Sequence, residues 1–113
     1  MESWRAEGLA LPRPQLAAAV RFTLEELAAT APGTSVEVRV PPFAAVQCLP
    51  GPSHTRGTPA NVVEASPQIW LALATGSLSW HDAVRAARVR ASGSRADLSQ
   101  HLPLTLPPAP ARG

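Results

Sequence analysis

The sequence predicts an α+β domain in which helices cover one face of a largely antiparallel sheet of four to five strands. Two patterns lead to this fold class. After residue 14 apolar residues recur every three or four positions, as in an amphipathic helix, and at 36–40 valines alternate with charged residues, as in a strand. The predicted order of elements is helix, three strands, two helices, strand and helix.

Length and composition indicate one domain. A chain of 113 residues, 45% of them hydrophobic, can bury roughly two-thirds of its unfolded surface, which is enough for a single core. Residues 1–13 have no sustained periodicity and are expected to form an N-terminal arm. The folded domain is expected to span 14–104, followed by a Pro-rich tail at 105–113.

The first helix and the first two strands are predicted from the first half of the chain. Pro14 suits a first helical turn, Pro32-Gly33 should end the helix, and one face carries an apolar stripe. That stripe consists of Leu16, Val20, Leu24, Leu27 and Ala31. The strand at 36–40 is followed by Pro-Pro and by a more apolar strand at 43–49, and the two strands are expected to pair antiparallel.

Residues 50–59 contain three Pro and two Gly, so they are expected to form a loop. A third strand is predicted at 61–65. Two serines predict the starts of helices: Ser66 begins a helix that Gly76 ends, and Ser79 begins another, with Asp82 in a capping-box position. A short strand at 89–93 and a short helix at 96–102 are predicted to follow.

Charge and cysteine content argue against several classes of protein. All ten cations are Arg, with no Lys or Tyr, and they are scattered among eight acidic residues, so the clustered basic surface of a nucleic-acid-binding protein is missing. Cys48 is the single cysteine, which excludes an internal disulfide, and the three His have no ligand-like spacing for a metal. No cofactor motif appears. No apolar run is long enough to insert stably in a membrane, and we expect a cytoplasmic protein.

Three segments resemble a known family. They are Gly-Pro-Ser-His-Thr-Arg-Gly-Thr-Pro-Ala-Asn-Val-Val-Glu at 51–64, Trp-Leu-Ala-Leu-Ala-Thr-Gly-Ser-Leu-Ser-Trp-His-Asp-Ala-Val at 70–84, and Val-Arg-Ala-Ser-Gly-Ser-Arg-Ala-Asp-Leu at 89–98. Together with the first helix and strand pair, they look like the small bacterial sterol-carrier-protein-like domain over roughly 14–104.

The resemblance implies a fold of the sterol carrier protein 2 type, an α+β domain around an apolar cavity that takes lipids without chemistry. A related domain lies C-terminal to a metal-binding helical bundle in thiol-dependent maleylpyruvate isomerases. That bundle is absent from this chain, so its metal site cannot be carried over, and the resemblance implies a non-catalytic protein rather than an enzyme.

The loop at 50–59 is the candidate polar site. It gathers His54, Thr55, Arg56 and Thr58, whose side chains could hold the carboxylate or phosphate head of an apolar ligand. The alternative is that these polar groups only tie down an irregular loop. Loops on a rigid scaffold often carry binding residues, which favours a binding role for this loop. Arg56 is the strongest candidate in it, because its guanidinium could pair with a carboxylate or phosphate.

The candidate cavity residues are apolar and lie on the predicted helices and strands: Leu24, Leu27, Val46, Val63, Trp70 and Leu73. Ordinary core packing is the alternative for Trp70, as it is for Trp80, because aromatic side chains mostly supply buried area. For Cys48, within an apolar strand, a buried inert thiol is the favoured interpretation.

Two functional hypotheses follow. The first is a non-catalytic carrier of a hydrophobic, lipid-like small molecule. The second is an accessory or regulatory interaction domain, related to the C-terminal domain of the isomerases, which predicts a filled core and a surface patch that could serve homodimerisation. An enzyme ranks third, since no catalytic motif is present.

Overall fold

The first predicted helix is present, and the apolar stripe decides which side of it is buried. The computed structural model describes residues 11–52 and 61–105. Helix α1 (Arg13–Thr30) has Pro14 in its first turn, where a missing N–H removes no helical hydrogen bond. Every residue of the predicted stripe is buried: Leu16, Val20, Leu24, Leu27 and Ala31.

Four strands form one sheet: β1 (Val36–Val40), β2 (Ala44–Cys48), β3 (Val62–Glu64) and β4 (Arg90–Ser92). Their order across the sheet is β2-β1-β3-β4. The predicted antiparallel pairing of β1 with β2 is confirmed, and β3 pairs antiparallel with β4.

The prediction of a largely antiparallel sheet is wrong, because the two central strands, β1 and β3, run parallel and the sheet is mixed. Residue alternation reports which face a side chain occupies, but it carries no information on strand direction. The chain leaves β2 at the end of the sheet where β1 begins. It re-enters the sheet at that same end, on the other side of β1, where the backbone carbonyl of Asn61 accepts a hydrogen bond from the backbone N–H of Glu37 (2.9 Å). Because β3 starts at the end where β1 starts, the two strands run in the same direction.

The turn between α1 and β1 requires glycine. Gly33 has φ +147°, and a Cβ there would overlap the backbone carbonyl of Leu49. The close approach allows two backbone hydrogen bonds, from Leu49 N–H to the carbonyl of Ala31 (2.7 Å) and from Ser35 N–H to the carbonyl of Leu49 (3.1 Å). The start of β1 is thereby held against the end of β2.

Both serine-capped helices are confirmed. Helix α2 (Pro67–Thr75) begins where the Ser66 hydroxyl accepts from the N–H of Ile69 (3.2 Å), and it ends at Gly76, whose φ of +89° lies in the left-handed region. Helix α3 (Trp80–Arg85) begins where the Ser79 hydroxyl accepts from the N–H of Asp82 (3.0 Å).

The predicted helix at 96–102 is wrong, because this segment is irregular, with a turn at 99–101. The Asp97 carboxylate accepts a hydrogen bond from the N–H of Ser99 (2.9 Å), a local bond that competes with helix formation. Pro103 also disfavours a helical conformation at the residue before it. The four-residue spacing of Leu98 and Leu102 therefore does not arise from a helix. Leu98 is fully buried in the core although the segment around it is irregular.

The core is one contiguous apolar cluster built from all three helices, from β1, β2 and β3, and from the segment after β4. Helix α1 packs against both β2 and α2. In β1 the valines are buried and Arg39 is exposed, which follows from the period of two in a strand. That helices cover only one face of the sheet stays a prediction.

Candidate functional site

The polar half of the predicted site lies outside the described residues. His54, Thr55, Arg56 and Thr58 all belong to that part of the chain. Only the two ends of their loop are described, at Gly51 and Pro52 on one side and at Asn61 on the other.

Both loop ends meet the same end of the sheet. Strands β1 and β3 begin there and β2 and β4 finish there, because Val36 pairs with Cys48 and Val62 pairs with Ser92. Four residues just beyond the strands collect at this place, and we call them the polar end of the sheet: Ser35, Gly51, Asn61 and Arg95.

Asn61 holds the polar end of the sheet together. Its side-chain amide N–H donates to the backbone carbonyl of Ser35 (3.0 Å), and its amide oxygen accepts from the backbone N–H of Arg95 (3.1 Å). Residues 26 and 34 positions away in the chain are thus tied to one side chain. Sequence reasoning took Asn61 as the start of a strand, missed Ser35, and quoted Arg95 only as part of the family-like segment 89–98 without a role, since nothing in the sequence brings these three residues together.

The backbone at Gly51 packs closely against this end. A Cβ at Gly51 would lie 3.2 Å from the Ser35 hydroxyl oxygen and 3.2 Å from Nη1 of Arg95, which is closer than ordinary van der Waals contact, so a side chain at this position would be crowded. Gly51 and Arg95 are exposed, whereas Ser35 is buried.

The Ser35 hydroxyl is buried and has no hydrogen-bond partner among residues 11–52 and 61–105. Such a group loses its hydration without compensation, and native structures contain few of them. Within residues 11–52 and 61–105, no carboxylate lies within ion-pair distance of the Arg95 guanidinium.

The apolar candidates lie in the core. Five of them are almost completely buried in the core cluster: Leu24, Leu27, Val63, Trp70 and Leu73. The sixth, Val46, is half-buried and packs against that cluster. They bring together α1, α2 and the centre of the sheet.

Trp70 makes a specific polar contact inside this cluster. Its indole N–H donates to the hydroxyl of Thr23 (2.7 Å), and that hydroxyl donates in turn to the carbonyls of Ala19 (2.7 Å) and Val20 (3.0 Å). The contact fixes α2 against α1 and explains how a threonine can be fully buried on an apolar helix face. Sequence reasoning missed Thr23, although its position between Val20 and Leu24 places it beside the stripe. Trp80 is half-buried against the core.

The Cys48 thiol is buried at the end of β2. Burial raises the pKa of Cys48 from 9.0 to about 11, because a thiolate there would lose its hydration. The predicted burial of Cys48 is confirmed, and since a thiol that stays protonated is a poor nucleophile, the raised pKa supports its interpretation as an inert side chain.

Charge on the sheet is paired locally. Arg39 donates to the carboxylate of Glu37 (2.9 Å), and this hydrogen bond, together with the charge of Glu37, raises the pKa of Arg39. In the ladder Arg39 stands opposite Glu64, and Glu64 stands opposite Arg90. This row alternates in sign, which suits a solvated surface better than a site for a charged polymer.

Neither a metal-binding cluster nor a membrane-spanning helix occurs in residues 11–52 and 61–105. Among those residues there is no group of three or more His, Cys, Asp or Glu side chains that could hold a metal ion. None of the helices between residues 11 and 105 combines the length and the apolar character needed to cross a bilayer.

The chain matches a known protein family. A family model described as the bacterial SCP ortholog matches residues 12–104, which includes every helix and strand described above. No curated protein matches the chain.

Proposed function

The chain belongs to the family of bacterial SCP orthologues, which are sterol-carrier-protein-like domains, and we propose from this membership that it carries a hydrophobic, lipid-like small molecule without catalysing a reaction. Membership over residues 12–104 is the observation that carries the proposal, since the family suggests a carrier-type domain. The ligand would occupy apolar volume between the helices and the sheet. Its polar head would face the end of the sheet where the loop at 50–59 begins and ends.

The apolar cluster supports this assignment. Leu24 and Leu27 on α1, Val63 on β3, and Trp70 and Leu73 on α2 belong to one connected core, so a ligand inserted between the layers would meet apolar atoms on every side. We propose these residues and Val46 as the cavity lining. His54, Thr55, Arg56 and Thr58 are proposed as polar contacts at the mouth.

Apolar burial would supply most of the affinity. At about 25 cal/mol per Å2, burial of roughly 500 Å2 of ligand surface is worth about 12 kcal/mol, and association costs of about 4 kcal/mol leave about 8 kcal/mol. This magnitude predicts reversible binding in the micromolar range, which suits a carrier that must also release its ligand.

Native mass spectrometry of the full chain purified from its own host tests the proposal. We expect a fraction of the protein to carry an additional mass that is released on denaturation and partitions into organic solvent. Protein that is free of bound mass under gentle ionisation, and whose melting temperature no fatty acid, sterol or acyl-CoA raises, would contradict the proposal, because a ligand stabilises the fold by mass action. A dimer or a bound protein in the same spectra would favour the interaction-domain hypothesis instead.

A further inference from the structure

We infer that the buried hydrogen bond between the Trp70 indole and the Thr23 hydroxyl is a latch: it holds α1 against α2, and a ligand reaches the interior only when this bond breaks. The inference rests on the proposed function, because it names the step that controls access to the same interior. In the closed form the bond is made. In the open form the two helices have parted around it.

The proposed lining has no ready-made space beside it. Leu24, Leu27 and Trp70 have no accessible surface at all, so no void large enough to hold a water molecule borders them. Leu73 and Val63 are each only 1% exposed. A ligand that contacts these residues must therefore separate elements that touch in the closed form.

The lining is divided between two helices that pack on each other. Leu24 and Leu27 lie on α1, which contacts α2 directly. Trp70 and Leu73 lie on α2. Contacts between apolar side chains are not directional, so an apolar ligand that enters between the helices can replace them. These contacts therefore oppose opening only until a ligand fills the gap.

The hydrogen bond is the contact that an apolar ligand cannot replace. The Trp70 indole has one N–H donor and no acceptor, and it donates to the Thr23 hydroxyl over 2.7 Å. The hydroxyl proton is directed at carbonyls of α1 itself, Ala19 (2.7 Å) and Val20 (3.0 Å), which leaves the oxygen free to accept from the indole. When the helices part, Thr23 keeps its partners on α1, and only the Trp70 N–H loses one in an apolar surrounding.

A latch of this kind makes stability and affinity change in opposite directions. The apparent affinity of a ligand that binds the open form is reduced by the fraction of protein that is open. Removal of the acceptor on Thr23 leaves the Trp70 N–H unpaired in the closed form as well, so the closed form loses its advantage. The protein should then be less stable and yet bind its ligand more tightly, whereas a merely structural hydrogen bond predicts no gain in affinity.

Calorimetric titration of the full chain with laurate tests this expectation. Thr23→Val keeps the shape of the side chain and removes the acceptor, and we expect it to tighten laurate binding about tenfold. Thr75→Val is the matched control, because the Thr75 hydroxyl bonds the carbonyl of Leu71 within α2 (2.7 Å), and its affinity should equal that of the wild type. Leu98→Ala empties a fully buried position outside both helices, so it lowers stability without breaking the latch and should not tighten binding.

Hydrogen exchange of the Trp70 indole N–H, followed by NMR without ligand, measures the opening itself. In the wild type we expect exchange that is insensitive to low urea concentrations, because a local opening exposes little surface. Thr23→Val should accelerate this local exchange about tenfold, and Thr75→Val should leave it unchanged. The urea dependence in the wild type tests the latch without any substitution.

The outcomes separate the latch from the carrier proposal. If laurate binds but Thr23→Val binds it no more tightly than the wild type or Leu98→Ala does, the latch is overturned and the carrier stands. Exchange of the indole N–H through global unfolding alone, with the full urea dependence, also overturns the latch. If laurate, a sterol and an acyl-CoA all fail to bind, the carrier proposal fails and exchange decides: local opening that Thr23→Val accelerates supports the latch, and its absence overturns it.

Discussion

Raising the pH from 8 to 11 should destabilise this protein through the Cys48 thiol. The sequence has no Lys and no Tyr, so between the α-amine, near pH 8, and the arginines, above pH 12, this thiol is the one side chain that titrates. Burial raises the pKa of Cys48 from 9.0 to about 11 in the folded protein. The folded state therefore binds the proton more tightly than the unfolded chain does.

The sign and the size of the effect follow from linkage. A raised pKa adds stability that is fully present below pH 9 and is lost as the pH rises through 11, because only the unfolded chain gains from releasing the proton in that window. Without solvent screening, the free energy of unfolding at pH 10 is lower than at neutral pH by about 1.4 kcal/mol. Cys48 lies on an edge strand, where some solvent screening reduces this loss to about 1 kcal/mol.

Urea unfolding followed by tryptophan fluorescence in the presence of a reductant measures this loss. We expect the free energy of unfolding to fall by only about 0.3 kcal/mol from pH 8 to 9 and by about 1 kcal/mol in total by pH 10. Cys48→Ala should lower the stability at pH 8 by leaving a cavity and should abolish the decline. Parallel declines in the wild type and in Cys48→Ala would refute the reasoning.

Three substitutions test the packing that positions the candidate site. Thr23→Val keeps the shape of the side chain but leaves the indole N–H of Trp70 buried without an acceptor, so denaturant unfolding should show a loss of about 2 kcal/mol, and a loss below 0.5 would contradict the role of that hydrogen bond. Ser35→Ala removes a buried hydroxyl that has no partner, so the ligand-free protein should become more stable by about 1 kcal/mol, and a clear destabilisation would show that the hydroxyl is satisfied. Gly33→Ala forces a Cβ onto the carbonyl of Leu49 at a positive φ, so the melting temperature should fall by ten degrees or more, or roughly 2 kcal/mol; an unchanged melting temperature would show that the turn can rearrange.

Much of the secondary structure could be predicted because it depends on local chemistry. The stripe of α1 follows from a period of three or four, and the starts of α2 and α3 follow from serine hydroxyls that accept early backbone N–H groups. The parallel pairing of β1 with β3 could not be predicted, because it depends on which side of β1 the chain re-enters the sheet. The error at 96–102 has a different origin, since the leucine spacing was helical but the carboxylate of Asp97 stabilises a turn.

The site was predictable only in its apolar part. Leu24, Leu27 and Trp70 are buried because apolar side chains at helical spacing on a predicted helix have nowhere else to pack. The polar end of the sheet is different, since Ser35, Asn61 and Arg95 come together only after four strands have paired. No spacing in the sequence encodes that meeting.

Trp70 offers the most direct measurement of whether the interior accepts a ligand. It is fully buried in the core cluster as part of the proposed lining, and its indole N–H donates to Thr23, so an inserted molecule should change its emission. In a variant with Trp4→Phe and Trp80→Phe, Trp70 is the single fluorophore. Titration of this variant with laurate, a sterol and an acyl-CoA should give a saturable change with a midpoint in the micromolar range for at least one of them. A folded protein whose Trp70 emission stays constant across all three titrations would contradict the carrier account.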